Sequence, residues 1–218
     1  AKESRQIRLS APNIIAGMSN EIALTNGKPK SSLEILVSKP DNTQIILDTT
    51  ADSEGEAVVP VSDYHLEEAG IYTVEARNST KGEDFSKGVS FKVKAGSVSE
   101  EKSTVAISDK TAKTGETIVV KVKLQDAFGN PIDNHIAKLL SNKKGVEIYT
   151  NDPYTNDEGI MEFYVSGKIA VITELKIVDS SAKKTLSIRP KIAFEGITEI
   201  AELGGYSIKN TDIMFAEE

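Results

Sequence analysis

Between Val119 and Asp133 the chain reads Val-Val-Lys-Val-Lys-Leu-Gln-Asp-Ala-Phe-Gly-Asn-Pro-Ile-Asp. Val120, Val122 and Leu124 alternate with Lys121, Lys123 and Gln125. That is the period of two of a strand with one apolar face and one wet face. The Asp-x-x-Gly-Asn-Pro cluster then stops the strand, because Gly and Asn tolerate turn conformations and Pro cannot continue a ladder. Thr155-Asn-Asp-Glu-Gly159 is a second turn and feeds another strand, Ile160 to Val165. A related order occurs upstream, Lys39-Pro-Asp-Asn-Thr43 followed by Thr50-Ala-Asp-Ser-Glu-Gly55. Gly55 and Gly159 lie 104 positions apart, about one sandwich domain. The pattern predicts an all-β chain: two tandem Ig-like β-sandwich domains and a short acidic C-terminal segment.

In the first half, short strands are expected at Gln6–Ser10, Glu21–Thr25, Leu33–Ser38, Thr43–Asp48, Ala57–Val61, Ile71–Ala76 and Gly88–Val93. Asn26-Gly27 is a turn dipeptide, and Asp63 to Gly70 is a polar connection with room for one helical turn. Strand signals every 8–12 residues argue for a sandwich rather than alternating strand and helix. Residues 94–102 are polar, contain Gly and Ser and lack apolar periodicity, so they read as a linker. The second half repeats the rhythm at Ser103–Ser108, Thr117–Leu124, Ile136–Leu140, Val146–Tyr149, Ile160–Val165, Ala170–Val178 and Thr185–Ile188. The predicted domains are 1–97 and 98–189. Residues 190–218 form an acidic tail or the start of a further module, with Ile197, Ile200 and Leu203 spaced to share a helical face before Gly204-Gly205.

Composition narrows function. The 218 residues carry 39% hydrophobic and 27% charged side chains, a globular balance, and a formal charge of −7. Lys and Arg are scattered rather than gathered into a stripe that could displace phosphate counterions, so nucleic acid is not an expected partner. No apolar run approaches the ~20 residues that span a bilayer, so membrane contact is expected only through parts outside this chain. The absence of Cys removes disulfides, thiolate metal sites and Cys nucleophiles together. A disulfide-free sandwich leans toward a bacterial exported protein.

Thr117-Ile-Val-Val-Lys-Val-Lys-Leu-Gln-Asp-Ala-Phe-Gly-Asn-Pro-Ile-Asp133, with Thr155-Asn-Asp-Glu-Gly-Ile160, resembles the bacterial Ig-like group 1 domains of invasin and intimin. Their pattern has a strand, Asp-x-x-Gly-Asn-Pro-Val, a strand, then Thr-Asp-x-x-Gly and a strand. The resemblance covers residues 103–188. Residues 5–93 are more loosely similar to bacterial Ig or macroglobulin-type domains, through Asp52-Ser-Glu-Gly-Glu-Ala57 and Glu68-Ala-Gly-Ile-Tyr-Thr-Val-Glu-Ala76. The resemblance implies a stalk or adhesion module and transfers no functional residue.

Motifs for catalysis are missing. No Gly-x-Ser-x-Gly, His-Glu-x-x-His, Walker loop or Gly-x-Gly-x-x-Gly occurs, and His65 and His135 read as surface or structural histidines. No catalytic or cofactor-binding residue is expected. Oxygen-rich turns remain as candidate calcium ligands. The set Asp152, Asn156, Asp157 and Glu158 is foremost, with Asp126, Asn130 and Asp133, and Asp52 with Glu54, as further sets. Equally, Asn, Asp and Gly are simply the residues that form turns. Phe128, an aromatic at a turn tip, is the candidate partner-binding residue, or else folds under to cap the sandwich. Tyr149 and Tyr154 flank the acidic loop at positions suited to sugar stacking. A Lys–Asn isopeptide bond is a further possibility if a Lys is buried.

The expected function is a non-enzymatic spacer or adhesion segment of a bacterial surface or exported protein, extracellular or periplasmic, with a protein or cell-surface partner. The competing readings are an accessory region of a larger secreted enzyme and a structural subunit that self-associates through its C-terminal tail.

Overall fold

The computed structural model describes residues 6–79 and 84–197, and the backbone of two short paired strands, Glu202–Leu203 and Tyr206–Ser207. It divides into two compact units. The first comprises Ala1–Ser103 together with Leu124–Asp133 and Asp157–Gly159, and the second comprises Thr104–Lys123, Asn134–Asn156 and Ile160–Glu218.

The first unit contains β1 (Arg8–Ser10), β2 (Ile14–Ile15), β3 (Asn20–Thr25), β4 (Ser32–Ser38), β5 (Gln44–Thr50), β6 (Ala57–Val61), β7 (Gly70–Asn78) and β8 (Val89–Lys94). They form a three-stranded sheet, β1-β3-β6, and a five-stranded sheet, β2-β8-β7-β4-β5. Alternation decides which face is buried. Ile22 and Leu24 of β3, opposite Val59 and Ala57 of β6, point inward from the small sheet. Leu33, Ile35 and Val37 of β4 and Tyr72, Val74 and Ala76 of β7 point inward from the large one, with Val37 opposite Val74 and Ile35 opposite Ala76. Each such fully buried aliphatic side chain contributes about 1.5–3 kcal/mol. Tyr72 and Phe91 face each other across β7 and β8 and stack at 5.1 Å.

Tyr72 also fixes the loop that precedes its strand. Its phenol donates to the Glu68 carbonyl at 2.9 Å, four residues upstream, which is the arrangement of a tyrosine corner in Ig-like sandwiches. The loop contains a single 3-10 turn, Asp63–His65, where the sequence leaves room for one helical turn. Burial, reinforced by Glu68 and Asp41, pushes the Tyr72 phenol up to about 12.

The second unit contains β9 (Thr104–Ile107), β10 (Thr111–Lys113), β11 (Thr117–Lys123), β12 (Ala137–Ser141), β13 (Val146–Tyr149), β14 (Ile160–Gly167), β15 (Val171–Asp179), β16 (Lys184–Thr185) and β17 (Lys191–Glu195). The sheets are β13-β14-β11-β9 and β10-β17-β15-β12, with β16 also on β15. Val120 lies opposite Phe163 and Val122 opposite Met161, all buried. Leu139 lies opposite Ile177 on the other sheet. In both units a short early strand runs parallel to the last strand, β2 along β8 and β10 along β17, while every other pairing between β1 and β17 is antiparallel.

Three expectations change on contact with the structure. Lys191–Glu195, assigned from sequence to the C-terminal segment, is β17, between β10 and β15, with Ile192 and Phe194 buried. The strand begins directly after Pro190, which has no N–H to give a ladder, and alternates with Ile192 and Phe194 inward. Of the helix proposed over Ile197–Leu203, residues 198–201 lie outside the described residues and Glu202–Leu203 is strand. Of residues 190–218, the tail considered for self-association, most of 198–218 lies outside the described residues as well. The isopeptide idea fails for the described chain: it needs a buried Lys, and no described Lys is buried.

Candidate functional site

The Asp126 turn is built from its own local chemistry first. The Asp126 carboxylate accepts the backbone N–H groups of Phe128 and Asn130 at 2.9 Å each, an Asx turn of the kind Asp favours. Backbone bonds from Gly129 to Asp126 and between Asp126 and Asn130 close it. What distinguishes this turn is burial: Asp126 is 1% exposed and Asn130 7%. A buried carboxylate is costly unless its oxygens are fully hydrogen-bonded. The second Asp126 oxygen accepts the Gly96 N–H at 2.8 Å and the Asn130 side-chain amide at 2.9 Å. Asn130 in turn donates to the Glu67 carbonyl at 2.7 Å and accepts the Ala69 N–H at 2.8 Å. Two side chains thus tie three backbone segments of the first unit: 67–69, 96 and 126–130.

Residues 94–102, read from composition as a linker, belong to the same network. Ser99 donates its N–H to the Gln125 carbonyl at 2.7 Å, Gln125 donates its own N–H to the Ser103 hydroxyl at 3.1 Å, and Val98 is buried. Phe128 stands at the turn tip, 47% exposed, with its ring over Gly17. A Cβ at Gly17 would meet that ring at 2.4 Å.

The acidic loop after β13 uses the same residue types differently. Asp152 accepts the Tyr154 N–H at 2.9 Å, and Asn156 accepts the Ile160 N–H at 2.9 Å, both near the surface. Asp52 does the same for Glu54 and Glu56. Asp152, Asn156 and Asp52 of the proposed calcium sets thus each use a side-chain oxygen as a turn cap. Asp126 and Asn130 spend theirs inside the knot. Among the described residues no three His, Cys, Asp or Glu side chains gather to hold a metal, so Asp152, Asp157 and Glu158 do not form such a group.

The loop also bounds an open cleft of about 240 Å³ lined by Asn151, Asp152, Tyr154, Asn156, Glu162 and Tyr164, among others. Glu162 and Tyr164 share the outward face of β14. The Tyr164 phenol donates to Glu162 at 3.1 Å, and Lys121 pairs with the other Glu162 oxygen at 2.8 Å. Lys121, by hydrogen bond and then by charge, holds the Glu162 carboxyl below its ordinary range, and Glu162 raises the Tyr164 phenol. Tyr149 stacks on Tyr164 at 5.0 Å.

His135 is anchored to a buried carboxylate. Its Nδ1 lies 2.7 Å from the fully buried Asp179, which also accepts the Ala182 N–H at 3.0 Å. Sequence reasoning did not anticipate this pair, since the partners are 44 positions apart. Nor did it find the reach of Asn130 or the Tyr72 corner. For Tyr72 a signal existed: Gly70-x-Tyr72 opening a strand after a polar connection. For Asn130 none did, because Asn in Gly-Asn-Pro already satisfies turn chemistry.

These two β-sandwich units have the Ig-like fold that is also seen in bacterial adhesins. The adhesin FdeC of Escherichia coli is similar at a TM-score of 0.59 and 13% identity, covering 88% of this chain and 65% of that one. Yersinia pseudotuberculosis InvD is similar at 0.61 and 14%, covering 87% of this chain and 57% of that one. The chain thus spans less than two thirds of either. No family model and no curated protein matches the sequence. The Ig-like sandwich fold expected from the Asp126 and Asn156 turns is met, and it is shared with FdeC and InvD. Among the described residues no helix is long and apolar enough to cross a membrane.

Proposed function

We propose that this chain is a non-enzymatic spacer and presentation segment of a bacterial surface adhesin, acting outside the cell and engaging a protein or cell-surface partner. The observation that carries the reading is how the buried polar side chains are used. Asp126, Asn130 and Asp179 all hold backbone in place, whereas a catalytic pair would aim a base and a nucleophile into a cleft. Among the described residues no buried side-chain nitrogen or oxygen lacks a partner. The fold shared with FdeC and InvD supports the adhesin context, and the two sandwich units supply the repeat.

The test is single-molecule pulling between tethers at the two ends of the chain. The expected record has two discrete unfolding steps, each lengthening the chain by about 30 nm. Asp126→Ala lowers the force of one step and leaves the other. Extension without discrete steps would overturn the spacer reading.

A further inference from the structure

We propose that the cleft between the 150–156 loop and the outward face of β14 binds a neutral glycan, through one terminal hexopyranose ring. The reading does not depend on the spacer function.

The aromatic component comes first. Tyr154, 46% exposed, lines the cleft, and Tyr149, 59% exposed, stacks on Tyr164, which lines it too. A tyrosine presents an apolar ring face and a polar tip, the combination suited to a ligand that is itself amphipathic. A pyranose is such a ligand: its axial C–H groups form an apolar face that makes weak C–H contacts with rings, and its hydroxyls point outward. Tyr164 lies on the cleft wall, and its ring plane is set by stacking on Tyr149 at 19°. The stacking surface is therefore organised before ligand arrives, which lowers the entropy lost on binding.

The polar component sits where hydroxyls would fall. Glu162 is oriented from both sides, by Lys121 on Oε1 and by the Tyr164 phenol on Oε2, and each oxygen keeps acceptor capacity. Asp152 is braced from within its loop: it accepts from the Tyr154 N–H, and its carbonyl accepts from the Thr150 hydroxyl at 2.8 Å. Asn151, exposed on the rim, brings an amide that both donates and accepts. A few oriented polar groups around an apolar platform are what a small-molecule site requires.

Charge and size select within sugars. Lys121 is paired with Glu162, so it brings no unbalanced positive charge, and among the described residues no Lys, Arg or His forms an ion pair with Asp152. A sialylated, sulfated or phosphorylated ligand would meet like charge. A volume of about 240 Å³ is below the ~300–1,000 Å³ of drug-sized ligand sites, which favours one ring over an enclosed oligosaccharide.

The experiment uses the intact 218-residue protein, isotope-labelled, and follows backbone amides by NMR. The probes are the methyl glycosides of glucose, galactose, mannose, fucose and N-acetylglucosamine, with methyl sialoside as the anionic comparison. At least one neutral glycoside is expected to give saturable shifts at residues 149–164 and none across β12 and β15. Methyl sialoside gives none. Tyr154→Ala weakens binding about tenfold, while Tyr154→Phe, which keeps the ring, stays within about threefold. Unchanged β12 and β15 amides show that each variant is folded. Absence of saturable shifts with all five neutral glycosides, shifts that survive Tyr154→Ala, or equal binding of the sialoside would each overturn the proposal. None of these results bears on the pulling steps, and the pulling result does not bear on them.

Discussion

The Asp126 turn and the Asp152–Asn156 loop begin from the same chemistry and end in different places. In each, an Asx side chain accepts a backbone N–H two or four residues ahead. At Asp126 the second carboxylate oxygen and the Asn130 amide go on to bind Gly96, Glu67 and Ala69 in a buried setting. At Asp152 the loop stays exposed and borders a cleft. Turn propensity thus makes the turn in both cases, and burial decides whether the same residues become structure or surface.

The sharpest way to break this contrast is Asp126→Ala. It strips the acceptor from Gly96, Phe128, Asn130 and the Asn130 amide, and should destabilise the first unit by about 4 kcal/mol in denaturant titration. Asp179→Ala follows, at about 2 kcal/mol in the second unit, because the Ala182 N–H and His135 lose their buried acceptor. Tyr72→Phe should cost about 1 kcal/mol by removing the bond to Glu68. It also carries a pH signature. The phenol titrates near 10 in the unfolded chain and at about 12 when folded. Its contribution is therefore intact below pH 10 and declines as pH rises from 10 through 12. That share of the alkaline decline should be absent in the Phe variant. Smallest of all is Asp152→Ala, at about 0.5 kcal/mol or less, since water replaces the lost acceptor. A cost there approaching that at Asp126 would erase the distinction.

How much the sequence revealed follows the same line. Strands with a clean period of two are legible to within a residue or two: Ala57–Val61 and Val146–Tyr149 match, and the expected Thr117–Leu124 overruns the observed Thr117–Lys123 by one residue. The turn pair was legible too. Gly55 and Gly159 both take positive φ, +83° and +73°, where a Cβ would strike the Gly27 and Leu124 carbonyl oxygens respectively. The short parallel strands Ile14–Ile15 and Thr111–Lys113 were not legible, because two or three residues carry no periodicity and their pairing is non-local. The knot was half legible. Asp126 and Asn130 stood out as turn formers, but their partners at 67, 69 and 96 depend on how distant backbone is brought together. Of the aromatic cleft, Tyr149 and Tyr154 were visible, while Glu162, Tyr164 and Lys121 emerged only from the register of β14 on β11.

Amide hydrogen exchange on the wild-type protein tests the central contrast most directly. The N–H groups of Gly96, Ala69, Phe128 and Asn130 should exchange only through cooperative opening of the first unit, as slowly as Val74 in its core, while those of Tyr154 and Ile160 exchange through local fluctuation. Exchange at Gly96 and Ala69 as fast as at Tyr154 would contradict the account, because the Asp126–Asn130 network would then be no more than another surface turn.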